Sequence, residues 1–298
     1  MKLYYIDIGS STIKINLYEL NILTLIEERS IFFKEGFSKE FGISQQNLNS
    51  LYNYFSYLQN KYDFRIENTY IFATGIFREI PQIQKSQLIK YFSDNFNLYF
   101  NIISHGIENY YLGKAMEHNY NNKKVMIINM GGKTTEIITY LQNKIIDRKN
   151  LKIGVGDLLS NFSNINEPIS PVKIKDIVEF VKEKIKDVSF DSDYDCAIFT
   201  GGELRFESLA GYILEGNDLF DDGIHNKKIT LENFIKGNQR IFYQMTIDQL
   251  RQLMPQNSKW MDGARAGTCL PQAIFEKANI TTIIPSDLNL INGVIKDF

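Results

Sequence analysis

Cysteine is scarce: Cys196 and Cys269 are the only two in 298 residues. That is too few for a disulfide framework and suits a reducing cytosol. The three histidines, His105, His118 and His225, are scattered, and no zinc site follows from their spacing. No apolar run approaches the roughly 20 residues that a membrane span requires. A net charge of −2 and a pI near 6.0 remove any bulk attraction to nucleic acid or to an anionic membrane. The chain enters directly into an apolar run, Leu3–Ile8, with no secretory leader pattern. These absences predict a cytoplasmic protein that partners neither nucleic acid nor membrane.

What the sequence does hold is a strand-and-turn unit that occurs twice, 122 residues apart. The first copy is Tyr4-Tyr5-Ile6-Asp7-Ile8-Gly9-Ser10-Ser11-Thr12, and the second runs from Met126 through Asn129, Gly131, Gly132, Lys133 and Thr134 to Glu136. Each is an apolar run ending in an acidic or amide side chain, then a turn of small residues and hydroxyls, then a second apolar run. Small residues let backbone N–H groups approach an anion, and consecutive N–H groups in a tight turn form a concave anion site. Two such hairpins facing across a cleft would hold a phosphate chain from both sides. Gly132-Lys133-Thr134 is not a P-loop, because Ile127 stands where that motif needs its first glycine. The following Thr135–Leu141 also reads as a strand rather than a helix.

The length suits two domains. Strands are expected at Leu3–Ile8, Ile13–Leu20, Leu23–Phe33, Thr69–Ala73 and Tyr99–Ile103, and again at Val125–Met130, Glu136–Leu141, Lys144–Asp147 and Cys196–Thr200. Between them, Leu48, Leu51, Tyr52, Phe55 and Leu58 mark one helical stripe; Leu88, Tyr91, Phe92 and Phe96 mark another. Ile174, Ile177, Val178, Val181 and Ile185 mark a third. Strands followed by alternating helices and strands, repeated in two halves, predict an α/β protein. The polar run Asn119–Lys124 is the expected seam.

Six segments in this order resemble the exopolyphosphatase and guanosine pentaphosphate phosphohydrolase (Ppx/GppA) family of the actin/Hsp70/sugar-kinase superfamily. Asp7-Ile8-Gly9-Ser10-Ser11 and Asn129–Glu136 resemble its two phosphate loops. Ala73–Glu79, with Arg78, resembles its Ala-Thr-x-x-x-Arg-x segment. Ile103–Asn109, with Glu108, resembles its Ile-Ser-Gly-x-Glu-Glu segment, His105 being a one-residue insertion. Gly154-Val155-Gly156 and Thr200-Gly201-Gly202 resemble two later glycine turns. The resemblance implies two actin-like (ribonuclease H-like) domains with a central cleft, at residues 1–120 and 121–285, with the segment 286–298 returning to the first.

The implied activity is Mg²⁺-assisted release of terminal phosphate from polyphosphate or a guanosine polyphosphate. In that reading Asp7 and Glu136 hold metal, Arg78 clamps phosphate and Glu108 is the general base. Gly9, Ser10, Ser11, Asn129, Gly131, Gly132, Lys133, Thr134, Gly201 and Gly202 bind phosphate. Plainer roles stand beside these: turn chemistry for Asp7, a surface ion pair for Arg78, a helix-dipole partner for Glu108, a loop cap for Glu136 and a simple turn for Gly201-Gly202. The sequence departs from the family pattern where Asn129 replaces Asp, Lys133 replaces the third Gly, Asn109 replaces the second Glu, and Glu203 follows the late glycines. Those changes keep a binding-only sensor open as an alternative; a second alternative is an ATP-using kinase or filament ATPase of the same superfamily, against which Glu108 and the Arg78 segment argue. The 17 Tyr and 21 Phe leave a homodimer possible.

Overall fold

A computed structural model describes residues 2–142, 144–191, 193–255 and 258–297. By packing, the chain divides into Met1–Tyr111 with Leu290–Phe298, and Leu112–Asn289. Residues 1 and 298, the outer limits of the expected domains, lie outside the described residues.

The first unit opens with β1 (Leu3–Ile8), β2 (Thr12–Glu19) and β3 (Ile22–Ser30), followed by α1 (Gln45–Lys61), β4 (Thr69–Ala73), a 3₁₀ turn at Gly75–Arg78, α2 (Gln82–Phe96) and β5 (Phe100–Ile102). Helix α3 (His105–Ala115) carries the chain into the second unit. The sheet order is β3-β2-β1-β4-β5, antiparallel through β1 and parallel beyond it. Alternation along β1 builds two cores. Tyr4, Ile6 and Ile8 pack with Leu51, Phe55, Leu88 and Phe92 of α1 and α2, while Leu3 and Tyr5 face the other side. The expected strand Leu23–Phe33 stops earlier, at Ser30. Ile31 and Phe33 instead donate their N–H groups to the carbonyls of Ser11 and Ser10, so this segment braces the first hairpin.

The second unit repeats the plan. It runs through β6 (Val125–Met130), β7 (Thr135–Leu141), β8 (Lys144–Leu151), α4 (Val155–Asn161), α5 (Ile174–Lys184), β9 (Cys196–Thr200), α6 (Glu203–Leu209), β10 (Glu215–Gly216) and β11 (Lys227–Thr230). It closes with α7 (Leu231–Tyr243), α8 (Ile247–Leu253), α9 (Ala264–Lys277) and β12 (Thr282–Ser286). Its sheet order, β10-β11-β12-β9-β6-β7-β8, contains β8-β7-β6-β9-β12, the counterpart of the whole first sheet. The duplicated order is that of two actin-like (ribonuclease H-like) domains. Met126 and Ile128 face α5, α7 and α9; Val125 and Ile127 face the opposite core with Leu112, Met116 and Tyr120. The polar run Asn119–Lys124 lies inside this unit, anchored by Tyr120, which is buried and donates its hydroxyl to Met116 O.

Arg265 of α9 is fully buried, with no carboxylate partner among the described residues. Its guanidinium donates to the carbonyls of Ile241, Met245, Ile165, Glu167 and Pro168, tying two segments to one helix. The chain then returns to the first unit as α10 (Leu290–Val294), whose Leu290, Ile291 and Val294 bury against Leu3, Tyr5, Phe72 and Ile103.

Candidate active site

The two sequence repeats form the same hairpin. Gly9 N–H donates to Thr12 O at 2.9 Å, and Gly131 N–H to Thr134 O at 2.8 Å. Asp7 stands across from Lys14, and Asn129 across from Glu136, in equivalent positions of the two ladders. The carboxylate has therefore changed strand between the copies. In the first hairpin it lies on the leading strand opposite a lysine; in the second it lies on the returning strand opposite an amide.

In the first unit Ser10 is pinned from two directions. Its carbonyl accepts Phe33 N–H, and its hydroxyl oxygen accepts Ile76 N–H at 3.0 Å. Asp7, half-buried, has its carboxyl pushed up to about 6: burial raises it, Lys14 opposes, and Glu108 and Glu28 raise it further. Arg78 and Glu108 form an ion pair at 2.6 Å, with side chains only 14% and 15% exposed. Arg78 Nη1 also reaches Ile103 O at 3.4 Å, and its carbonyl accepts Lys85 Nζ. Arg78 Nε is buried and has no hydrogen-bond partner among the described residues. Glu108 sits in the first turn of α3, where Ser104 caps: its hydroxyl oxygen accepts Ile107 N–H and its carbonyl accepts Glu108 N–H. His105, the inserted residue, begins α3 with Nδ1 3.9 Å from Glu108 Oε2. Burial and the neighbouring Arg78 hold its pKa below the usual range, against the pull of Glu108.

In the second unit the loop is backed by Gly154. A Cβ there would meet Lys133 N at 2.4 Å and Gly131 O at 2.5 Å, so only glycine allows the approach. The next two N–H groups, of Val155 and Gly156, donate to Gly131 O and Gly132 O. Those carbonyls are thus turned back onto α4, while the N–H groups of Gly132 and Lys133 find no acceptor among the described residues. Lys133 Nζ pairs with Asp157 at 3.2 Å, and Asp157's other oxygen accepts Gly154 N–H. Glu136 is buried, with Thr134 Oγ1 on one carboxylate oxygen at 2.8 Å and Asn129 Nδ2 on the other at 3.3 Å.

Gly201 and Gly202 adopt φ of +124° and +118°, a region that favours glycine. Gly202 N–H donates to Ser286 O, and Asp287 Oδ1 caps Arg205 N–H in the first turn of α6. The structure thus brings Asp7, Gly9, Ser10, Ser11, Arg78 and Glu108 together in the first unit. Asn129, Gly131, Gly132, Lys133, Thr134, Glu136, Gly201 and Gly202 are together in the second.

Sequence reasoning missed Asp157 and Lys14. Asp157 was legible as the acid three residues after a helix-start glycine. Lys14 needed the hairpin register.

The donor sets differ in their fit to a divalent cation. Asp7 offers a hard oxygen on a carboxyl raised first by burial, against Lys14, with Glu108 and Glu28 adding to the rise, so a cation there would stabilise its charged form. Glu136 already has a donor on each oxygen from its own loop.

The chain belongs to the Ppx/GppA phosphatase family, whose model matches residues 28–298. No curated protein sequence matches it. Among solved structures, the Aquifex aeolicus Ppx-GppA enzyme superposes with a TM-score of 0.72 at 19% identity, covering 100% of this chain and 99% of its own. An exopolyphosphatase from Cytophaga hutchinsonii gives 0.74 at 14% identity, covering 99% and 97%. The first hairpin precedes the family-matched residues, but the Aquifex superposition includes it. Among the described residues no helix is long and apolar enough to cross a membrane.

Proposed function

We propose that this family member is a cytoplasmic phosphohydrolase that releases terminal phosphate from inorganic polyphosphate or a guanosine polyphosphate, with Mg²⁺ as cofactor. The observation that carries the reading is the nearly buried ion pair of Arg78 and Glu108. A phosphoryl-transfer transition state needs charge neutralisation and an aligned water rather than covalent chemistry. Arg78 supplies the first: its guanidinium sets a fixed positive charge beside the reacting phosphate while Nη1 stays on Glu108. Glu108 supplies the second. With Oε2 held by Arg78, Oε1 takes a proton from the attacking water, a role worth about 10²–10⁴-fold. The backbone N–H groups of each hairpin orient phosphate oxygens. Asp7 would hold Mg²⁺, which when bound neutralises phosphate charge. Glu136 serves as the brace of its own loop.

One observation favours a second reading. Asn129 satisfies Glu136 without a cation, as suits a loop that binds phosphate chains but has given up catalysis. Phosphate release with Mg²⁺ from polyphosphate and from guanosine pentaphosphate, beside ATP, separates the two. Release from either of the first two is expected, and the faster one names the substrate. Binding without release would establish the sensor, and release from ATP alone would point to an ATPase.

A further inference from the structure

A closed chain of side chains stands apart from both hairpins, in the second unit. Asp222 Oδ2 lies 2.5 Å from His225 Nδ1, and His225 Nε2 lies 2.9 Å from Ser286 Oγ. Asp222 and His225 side chains are 2% and 1% exposed, and Ser286 is equally buried. The Asp222 carboxyl is held well below the usual range. Burial alone would raise it, but hydrogen bonds from the His225 ring and backbone and from Ile224 N–H prevail. An ionised Asp222 fixes the ring proton on Nδ1, so Nε2 accepts the Ser286 hydroxyl proton. Ser286 Oγ in turn accepts Leu288 N–H at 3.2 Å.

The donor order is that of a Ser-His-Asp triad, but burial keeps this serine from substrate. What Ser286 does touch is the late glycine turn. It pairs with Thr200 across β12 and β9, and its carbonyl accepts Gly202 N–H at 3.3 Å. Leu288 O accepts the Thr200 hydroxyl, and Asp287 caps Arg205. Segment 286–288 is thus the clamp on residues 200–205. The turn it clamps is beside the second hairpin, since a Cβ on Gly201 would lie 3.6 Å from Asn129 Oδ1.

We propose that Asp222, His225 and Ser286 form a positioning relay that fixes the Gly201-Gly202 turn against the second phosphate loop. The proposal rests on the reading of that loop as phosphate-binding. His225 acts through Ser286 and touches no reacting atom.

Amide exchange, imidazole ¹⁵N shifts and steady-state kinetics of the full chain test it. Wild type is expected to show Nδ1 protonated and Nε2 bare. In Ser286→Ala and His225→Ala, exchange at Gly202 and Leu288 is expected to quicken about tenfold, with KM for polyphosphate up about tenfold and kcat within about twofold. His225→Gln, whose amide reaches Ser286, is expected to restore most of the KM. Should His225→Ala fail to fold, Ser286→Ala carries the test, because it removes a single oxygen. Unchanged exchange in Ser286→Ala would overturn the relay, as would an unchanged KM. Labelling of Ser286 by a fluorophosphonate would overturn it in favour of a nucleophile. If wild type released no phosphate, the phosphohydrolase reading would fail while exchange and ¹⁵N shifts still decided the relay.

Discussion

Asn129 turns what the family builds from two carboxylates into an amide–carboxylate pair. At 3.3 Å from Glu136, an aspartate would set two negative charges against each other, which is tolerable only with a cation or a raised pKa. Asn129→Asp is therefore expected to lower stability at neutral pH by about 1–2 kcal/mol without metal, and Mg²⁺ to restore it. Thermal melts with and without Mg²⁺ check this, and an unchanged melting temperature in its absence would count against it. Glu207 shows the opposite situation, a buried acid without a donor among the described residues. It is fully buried, neither oxygen has a hydrogen-bond partner among the described residues, and burial, with Glu203 and Asp287 nearby, raises its pKa well above the ordinary 4.5. The folded state therefore keeps a proton that the unfolded state releases, so this residue's contribution to stability falls as pH rises above about 4.5, by up to about 1.4 kcal/mol per pH unit. Glu207→Gln is expected to flatten that fall between about pH 5 and about pH 7 in urea unfolding; an unaltered slope would show that Glu207 ionises freely. At this scale the sequence revealed which residues matter more than where they point. Lys133 read as a cation in the phosphate loop, yet it pairs with Asp157, a contact that depends on how α4 returns behind the hairpin.

Strands and helical stripes were readable because alternation and 3.6-residue spacing are local signals. Leu48, Leu51, Phe55 and Leu58 are buried as their spacing predicts, with Tyr54 joining them and Tyr52 only partly buried. The end of β3 was not readable. Ile31–Phe33 is as apolar as a strand, but its N–H groups go to Ser10 and Ser11, a tertiary choice with no sequence mark. Between elements, Gly154 makes the closest approach of a glycine to other backbone among the described residues, and that backbone cannot rotate away as a side chain could. Gly154→Ala is expected to cost about 2–4 kcal/mol and to weaken phosphate-chain binding at least tenfold. Chemical denaturation and a binding titration measure the two. Wild-type affinity in this variant would mean that the second loop does not contact ligand.

Both sheets share one strand order, and the repeated hairpin marked that duplication in the sequence. The division near Tyr111 was not marked there, because it falls inside α3, whose helical pattern runs on across it. The return of the chain to the first unit rests on three apolar side chains of a five-residue helix. Ile291 is fully buried there, so Ile291→Ala is expected to destabilise the first unit by about 2–4 kcal/mol. Limited proteolysis should then cut within residues 2–111 first, and equal protection of both units would contradict that packing. The claim on which the functional account stands is that Glu108 activates water beside Arg78. Phosphate release and polyphosphate binding, measured together for wild type and Glu108→Gln with Mg²⁺, test it most directly. A fall in kcat of about 10²–10⁴ with binding within about threefold is the expected result. Release by Glu108→Gln at the wild-type rate would contradict it.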